Sequence, residues 1–142
     1  MKNIYLFEIN DVIANQIKLP YSTGLVWSYC VLDDEIKNNY NLDEWFYHRE
    51  SDDLIFDKIK DPSIVGFSCF VWNWNFNLLM ARKIKEAYPD CKIIFGGWQQ
   101  PISDRSQDFF KSHSYVDILV HGEGELAFKE ILLENLKKEP DF

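Results

Sequence analysis

Five short runs rich in β-branched and aromatic residues recur along the chain, and the stretches between them carry apolar side chains at helical spacing. The runs are Asn3 to Ile9, Asn41 to His48, Ile64 to Phe70, Cys91 to Phe95 and Val116 to Val120. Strands joined by crossovers of a dozen or more residues pair in parallel, and a parallel sheet needs helices on both faces. The alternation therefore predicts an α/β fold: a doubly wound, three-layer, parallel five-stranded sheet in the flavodoxin-like order 2-1-3-4-5. Ile64 to Phe70 is apolar almost throughout, as a strand buried on both faces must be, and it takes the centre.

The intervening segments read as loops and helices. Residues 10–20 (NDVIANQIKLP) form a connection longer than the usual ~2 to 6 residues, and such connections tend to be binding loops. Leu25, Val26, Tyr29, Val31, Leu32 and Ile36 predict a first helix capped by Ser22 or Thr23 and running to about Asn39. Asp52 to Ile59 reads as a short helix stopped before Asp61-Pro62. After the central strand, Trp72, Asn73, Trp74 and Asn75 stand at the strand end, and Leu78, Leu79, Ala81 and Ile84 predict a helix closing at Tyr88-Pro89-Asp90. Asp104 to Ser112 and the segment carrying Leu126, Phe128, Ile131, Leu132 and Leu136 supply the last two helices. Residues 1–138 read as one Rossmann-like domain and 139–142 as the start of a linker or tail.

Several function classes fall away. A net charge of −8 with scattered Lys and Arg argues against a nucleic-acid partner. The three cysteines, at 30, 69 and 91, follow no metal or disulfide spacing and read as buried free thiols of a reducing compartment. No apolar run approaches the ~20 residues of a membrane span, and MKNIYLFEI is too short for a signal peptide, so a cytoplasmic protein without membrane contact is expected. His48, His113 and His121 are not spaced as metal ligands. Phosphate-binding glycine loops and the nucleophile elbow of hydrolases are missing from the sequence. No catalytic residue and no metal-ligating residue is assigned.

In the order 2-1-3-4-5, the carboxyl ends of four strands share one rim, where ligands of such folds bind. The candidate binding residues are Tyr21, Ser22, Thr23 and Gly24 after the first strand, and Ser68, Trp72, Asn73 and Trp74 after the third. Gly96, Gly97, Trp98 and Gln99 follow the fourth, and Gly122, Glu123, Gly124 and Glu125 the fifth. Glycines there allow close backbone approach to a bulky ligand, or make tight βα turns. Ser22, Thr23 and Ser68 offer hydroxyls, and the helix after Ser22 offers bare N–H groups. Trp72, Trp74 and Trp98 are expected on the rim, where apolar area stays wet unless a broad, flat ligand or a partner covers it. Folding under as core is their other reading.

Four segments carry a resemblance: LPYSTGLVWSYC at 19–30, IVGFSCFVWNWNFNLLMARKIK at 64–85, CKIIFGG at 91–97 and VDILVHGEGELAFKEIL at 116–132. In this order they resemble the N-terminal cobalamin-binding-type domain of radical S-adenosylmethionine proteins. The resemblance implies a domain that holds cobalamin, and hence its cobalt, at the strand ends and serves a barrel domain in cis or in trans. S-adenosylmethionine and an iron–sulfur cluster would belong to that partner domain, on a Cys-x-x-x-Cys-x-x-Cys motif. Here the cysteines lie 39 and 22 residues apart, so this chain is not catalytic alone. The Asp-x-His-x-x-Gly motif that gives a histidine to cobalt in other cobalamin proteins is not in the sequence, and Trp98 stands where the resembling proteins tend to have proline. The alternatives are a cofactor-free interaction or scaffold domain of the same fold, and a flavin or nucleotide binder on the same rim.

Overall fold

All five apolar runs become parallel strands, hydrogen-bonded in the order β2-β1-β3-β4-β5. They are β1 (Lys2–Asn10), β2 (Tyr40–His48), β3 (Pro62–Cys69), β4 (Lys92–Gly97) and β5 (Ile118–Leu119). The structure is a computed structural model describing residues 1–11 and 14–142; Val12 and Ile13 of the long loop after β1 lie outside the described residues. Among the described residues six α-helices flank the sheet: α1 (Tyr21–Cys30), α2 (Asp34–Asn39), α3 (Asp52–Asp57), α4 (Trp74–Ala87), α5 (Ser106–Ser112) and α6 (Gly124–Glu134). A short 3-10 turn, Ser103–Arg105, precedes α5. The three-layer, flavodoxin-like architecture and strand order are those the alternation predicts.

Strand side chains alternate between the two faces, and this divides the core. Tyr5, Phe7 and Ile9 of β1 share one face with Val65, Phe67 and Cys69 of β3 and with Ile93 and Phe95 of β4, under α3, α4 and α5. Ile4, Leu6, Ile64 and Ile94 occupy the opposite face, under α1, α2 and α6. On the first face, Phe46, Phe7, Phe67 and Phe95 stand side by side across β2, β1, β3 and β4 in register. Their ring centroids are 4.7, 4.5 and 5.1 Å apart along the row. Each such pair contributes about 1 kcal/mol beyond its burial.

The strand expected over Val116 to Val120 shortens to Ile118–Leu119 and the helix expected to reach Ile59 ends at Asp57, and three further boundaries differ from the sequence expectation. The helix expected to reach Asn39 breaks after Cys30, because Asp33 starts a new helix: its carboxylate accepts from Glu35 N–H at 3.0 Å and pairs with Lys129 of α6 at 3.0 Å. The first helix is capped by neither Ser22 nor Thr23; it begins at Tyr21, with Pro20 in the cap position and no side-chain cap from its own segment. Helix α4 begins at Trp74, earlier than the leucine pattern indicates, because Asn73 organises the turn. The Asn73 carboxamide is fully buried, accepts from Phe70 N–H at 2.8 Å, and donates to the carbonyls of Ile9 at 3.1 Å and Ser68 at 2.9 Å. It ties β1 to β3 where the helices following these two strands leave on opposite faces.

Two outcomes follow from this packing. Asn73→Ala removes the acceptor of Phe70 N–H and the donor to the buried Ile9 carbonyl, and leaves the Ser68 carbonyl only the longer bond from Asn77 at 3.3 Å; it is expected to lower stability by about 2 kcal/mol, read from the urea midpoint. Cys30, Cys69 and Cys91 are free and buried, and burial pushes each thiol from its ordinary value near 9 up to about 12. Native protein should leave all three unreacted toward an aromatic disulfide reagent at mildly alkaline pH, and denatured protein should expose all three. Because the folded values are raised, the stabilisation these neutral thiols contribute is complete below about pH 9 and is lost as pH rises towards 12. A stability profile across that window checks the sign.

Candidate functional site

A cleft of about 300 Å³ opens at the carboxyl ends of the strands, between the start of α1 and the start of α6. Its floor is the second sheet face, with Leu6 of β1, Gly66 and Ser68 of β3, and Ile94 and Gly96 of β4. Its walls are Tyr21, Ser22, Thr23, Leu25 and Val26 on one side and Gly122, Glu123, Gly124, Glu125 and Phe128 on the other. Gly66 makes the floor low: a Cβ there would meet Leu6 at 3.0 Å and Phe128 at 3.3 Å. Gly97 turns the chain at the mouth with φ +96°, where a Cβ would lie 2.6 Å from the Cys69 carbonyl oxygen. Only glycine makes that turn without strain.

The α1 wall is held by a polar chain. Glu8, on the cleft side of β1 and only 5% exposed, accepts from Thr23 N–H and Thr23 Oγ1–H at 2.8 Å each, and from Ser22 N–H at 3.4 Å. The indole Nε1–H of Trp45 donates to Thr23 Oγ1 at 2.9 Å. Ser22 Oγ and Ser68 Oγ stand 3.3 Å apart across the join of helix and sheet. On the opposite wall, α6 starts without a side-chain cap. Gln100 is buried outside the lining, its amide donating to the carbonyl of Val120, which does line the cleft, while its Oε1 has no partner among the described residues.

Of the residues singled out in the sequence, the fold gathers eleven around this cleft: Tyr21, Ser22, Thr23, Ser68, Gly96, Gly97, Trp98, Gly122, Glu123, Gly124 and Glu125. The other five lie elsewhere. Gly24 faces the Trp45 ring, which a Cβ added there would meet at 3.6 Å. Asn73 is the buried tie between β1 and β3, and the exposed Gln99 is anchored by its N–H to the Cys69 carbonyl at 3.1 Å. Trp74 extends the phenylalanine row on the other sheet face, 5.8 Å from both Phe95 and Phe109, so it reads as core and not as rim. Trp72 is 45% exposed and stacks on Phe70 at 4.7 Å, with Phe70 itself lining the cleft. Trp98 is 91% exposed at the mouth.

Sequence reasoning missed Glu8 and the apolar floor. The signal for Glu8 was there: it is the one charged residue in the run NIYLFEI, and a carboxylate in a buried strand needs donors. The histidines stay away from the cleft. His113 stacks on Phe109 at 4.5 Å, and His48 and His121 are exposed outside it. Among the described residues no cluster of three or more His, Cys, Asp or Glu is arranged to hold a metal ion, and no helix is long and apolar enough to cross a membrane.

No protein-family model matches the chain. Two characterised relatives do. One is the 2-(S-pantetheinyl)-carbapenam-3-carboxylate methyltransferase of Streptantibioticus cattleyicolor, 39% identical over 99% of this chain and 20% of its own length. Another is the cobalamin-dependent radical SAM methyltransferase TokK of Streptomyces tokunonensis, 37% identical over 87% of this chain and 18% of its own length. The chain thus spans about a fifth of the length of the relatives it matches. It is a homologue of a domain-sized part of these methyltransferases, one of them cobalamin-dependent and radical SAM, and its likeness to the cobalamin-binding-type domain of radical S-adenosylmethionine proteins holds over most of its length.

Proposed function

We propose that this chain is the cobalamin-binding domain of, or derived from, a radical S-adenosylmethionine enzyme, holding the corrinoid at the carboxyl ends of its strands. The observation that carries the reading is the cleft itself: an apolar slot floored by glycine at the sheet edge, in a chain homologous to a cobalamin-dependent enzyme. A whole corrinoid is far larger than 300 Å³, so the slot suits one flat part of it, the base of its nucleotide tail. Leu6, Gly66, Ile94 and Phe128 would sandwich that base, and Ser22 and Ser68 would offer hydroxyls to its polar edge. The macrocycle would spread over the rim outside, against Trp98 and the Phe70–Trp72 stack.

When bound, the corrinoid supplies methyl-transfer or redox chemistry; this chain's residues bind, orient and shield it. Among the described residues no histidine lines the slot. Chemistry on a substrate is assigned to a radical S-adenosylmethionine barrel in cis or in trans, which would bring its own cluster. Exposed Leu19, Tyr21, Trp98 and Ile102 near the rim fit a surface that such a partner covers. The same exposure favours the second reading, an interaction or scaffold domain without cofactor.

Absorbance after desalting separates the two. Protein mixed with hydroxocobalamin should retain visible colour, and loss of all colour under both reducing and non-reducing conditions would favour the scaffold reading. Gly96→Leu gives an internal check: an added Cβ meets nothing closer than Val120 at 4.0 Å, so the fold tolerates it while the side chain fills the slot. The variant is expected to melt within a few degrees of the parent and to retain about tenfold less corrinoid.

A further inference from the structure

We propose that Glu8 sets the charge class of the group the cleft accepts: an uncharged flat heteroaromatic is admitted, and one carrying a phosphate monoester against α1 is refused. The nature of the heteroaromatic rests on the corrinoid reading; the charge rule rests on the cleft alone. In doubly wound folds the first βα turn is a ready anion site, because unpaired N–H groups and the positive end of a helix dipole point out of it. The segment Tyr21-Ser22-Thr23-Gly24 stands at that place and has the small, hydroxyl-bearing residues such sites use.

Here the position is already filled from within. Pro20 has no N–H to give, and the amides of Ser22 and Thr23 point to the Glu8 carboxylate, at 3.4 and 2.8 Å. Thr23 Oγ1 adds a further bond at 2.8 Å and is itself oriented by Trp45. Glu8 is buried and has no basic partner among the described residues, so the helix terminus serves as its counter-charge. A phosphate brought against Ser22 would find these donors taken and a buried carboxylate behind them. Across the cleft Glu123 and Glu125 add negative charge, and among the described residues lining it none is basic. An uncharged base meets no such opposition: it finds apolar floor and two hydroxyls that either donate or accept. The phosphodiester of a corrinoid tail must then lie away from α1.

The test titrates the full chain with the ribonucleoside of 5,6-dimethylbenzimidazole and, separately, with the phosphate monoester of that nucleoside, following tryptophan fluorescence. The nucleoside is expected to bind about tenfold or more tighter than its phosphate, and Glu8→Gln, which keeps a carbonyl acceptor for Thr23, should narrow the ratio to about threefold or less. Equal or tighter binding of the phosphate by the parent protein overturns the proposal, as does binding of neither compound. An unchanged ratio in a folded Glu8→Gln protein overturns the assignment to Glu8. If that variant fails to fold, the ratio in the parent protein still decides the charge rule. Hydroxocobalamin retention is scored apart. Retention without a nucleoside preference removes the role of Glu8 and leaves the corrinoid reading standing; a preference without retention does the reverse.

Discussion

A row of four phenylalanine rings, one on each of β2, β1, β3 and β4, fixes the register on which the rest of the molecule depends. Phe46, Phe7, Phe67 and Phe95 are direct strand partners. Strand side chains alternate, so placing Phe67 and Phe95 on one face sends Gly66, Ser68, Ile94 and Gly96 to the other. The row and the cleft floor are therefore one decision. A slip of one residue in β3 would bring Phe67 into the cleft and Gly66 into the opposite core, and both would be lost together.

Two polar side chains complete what the aromatic row begins. Parallel strands β1 and β3 part company at their carboxyl ends, where α1 leaves on one face and α4 on the other, and backbone groups there lose ladder partners. Asn73 satisfies one set, taking the carbonyls of Ile9 and Ser68 with a single amide group. Glu8 satisfies the other, taking the first amides of α1. One tie is neutral and shapes the core side; the other is charged and stands directly behind the cleft wall. The first tie therefore acts through stability, and the second is the one that the Glu8 proposal connects with selectivity.

Which residues the sequence could place depended on whether their position follows from strand and helix periodicity. The glycine turns after β4 and β5 and the serine-threonine turn after β1 were legible because each ends a recognisable strand, and strand ends in a parallel sheet share a rim. The tryptophans were not. Trp72 and Trp74 are two residues apart at a strand-to-helix turn, and the turn geometry imposed by Asn73 sends Trp74 beneath the sheet while Trp72 stays outside on Phe70. Gly24, between the lining residues Thr23 and Leu25, and Gln99, one position past Trp98, miss the cleft for a similar reason: local turns aim neighbouring residues in different directions.

Periodicity and connection length alone determined the parallel sheet, its helical layers and the sharing of one rim by its strand ends, because those properties depend on repeating patterns that tolerate errors of a residue or two. Tertiary structure decided the cleft: which face it opens on, that Gly66 and Phe128 shape it, and that a carboxylate from β1 reaches the first turn of α1. Such contacts join residues far apart in the chain, as Glu8 and Thr23 or Gly66 and Phe128 are. No periodic pattern encodes them; they exist only once the sheet register brings their atoms within hydrogen-bonding or van der Waals distance.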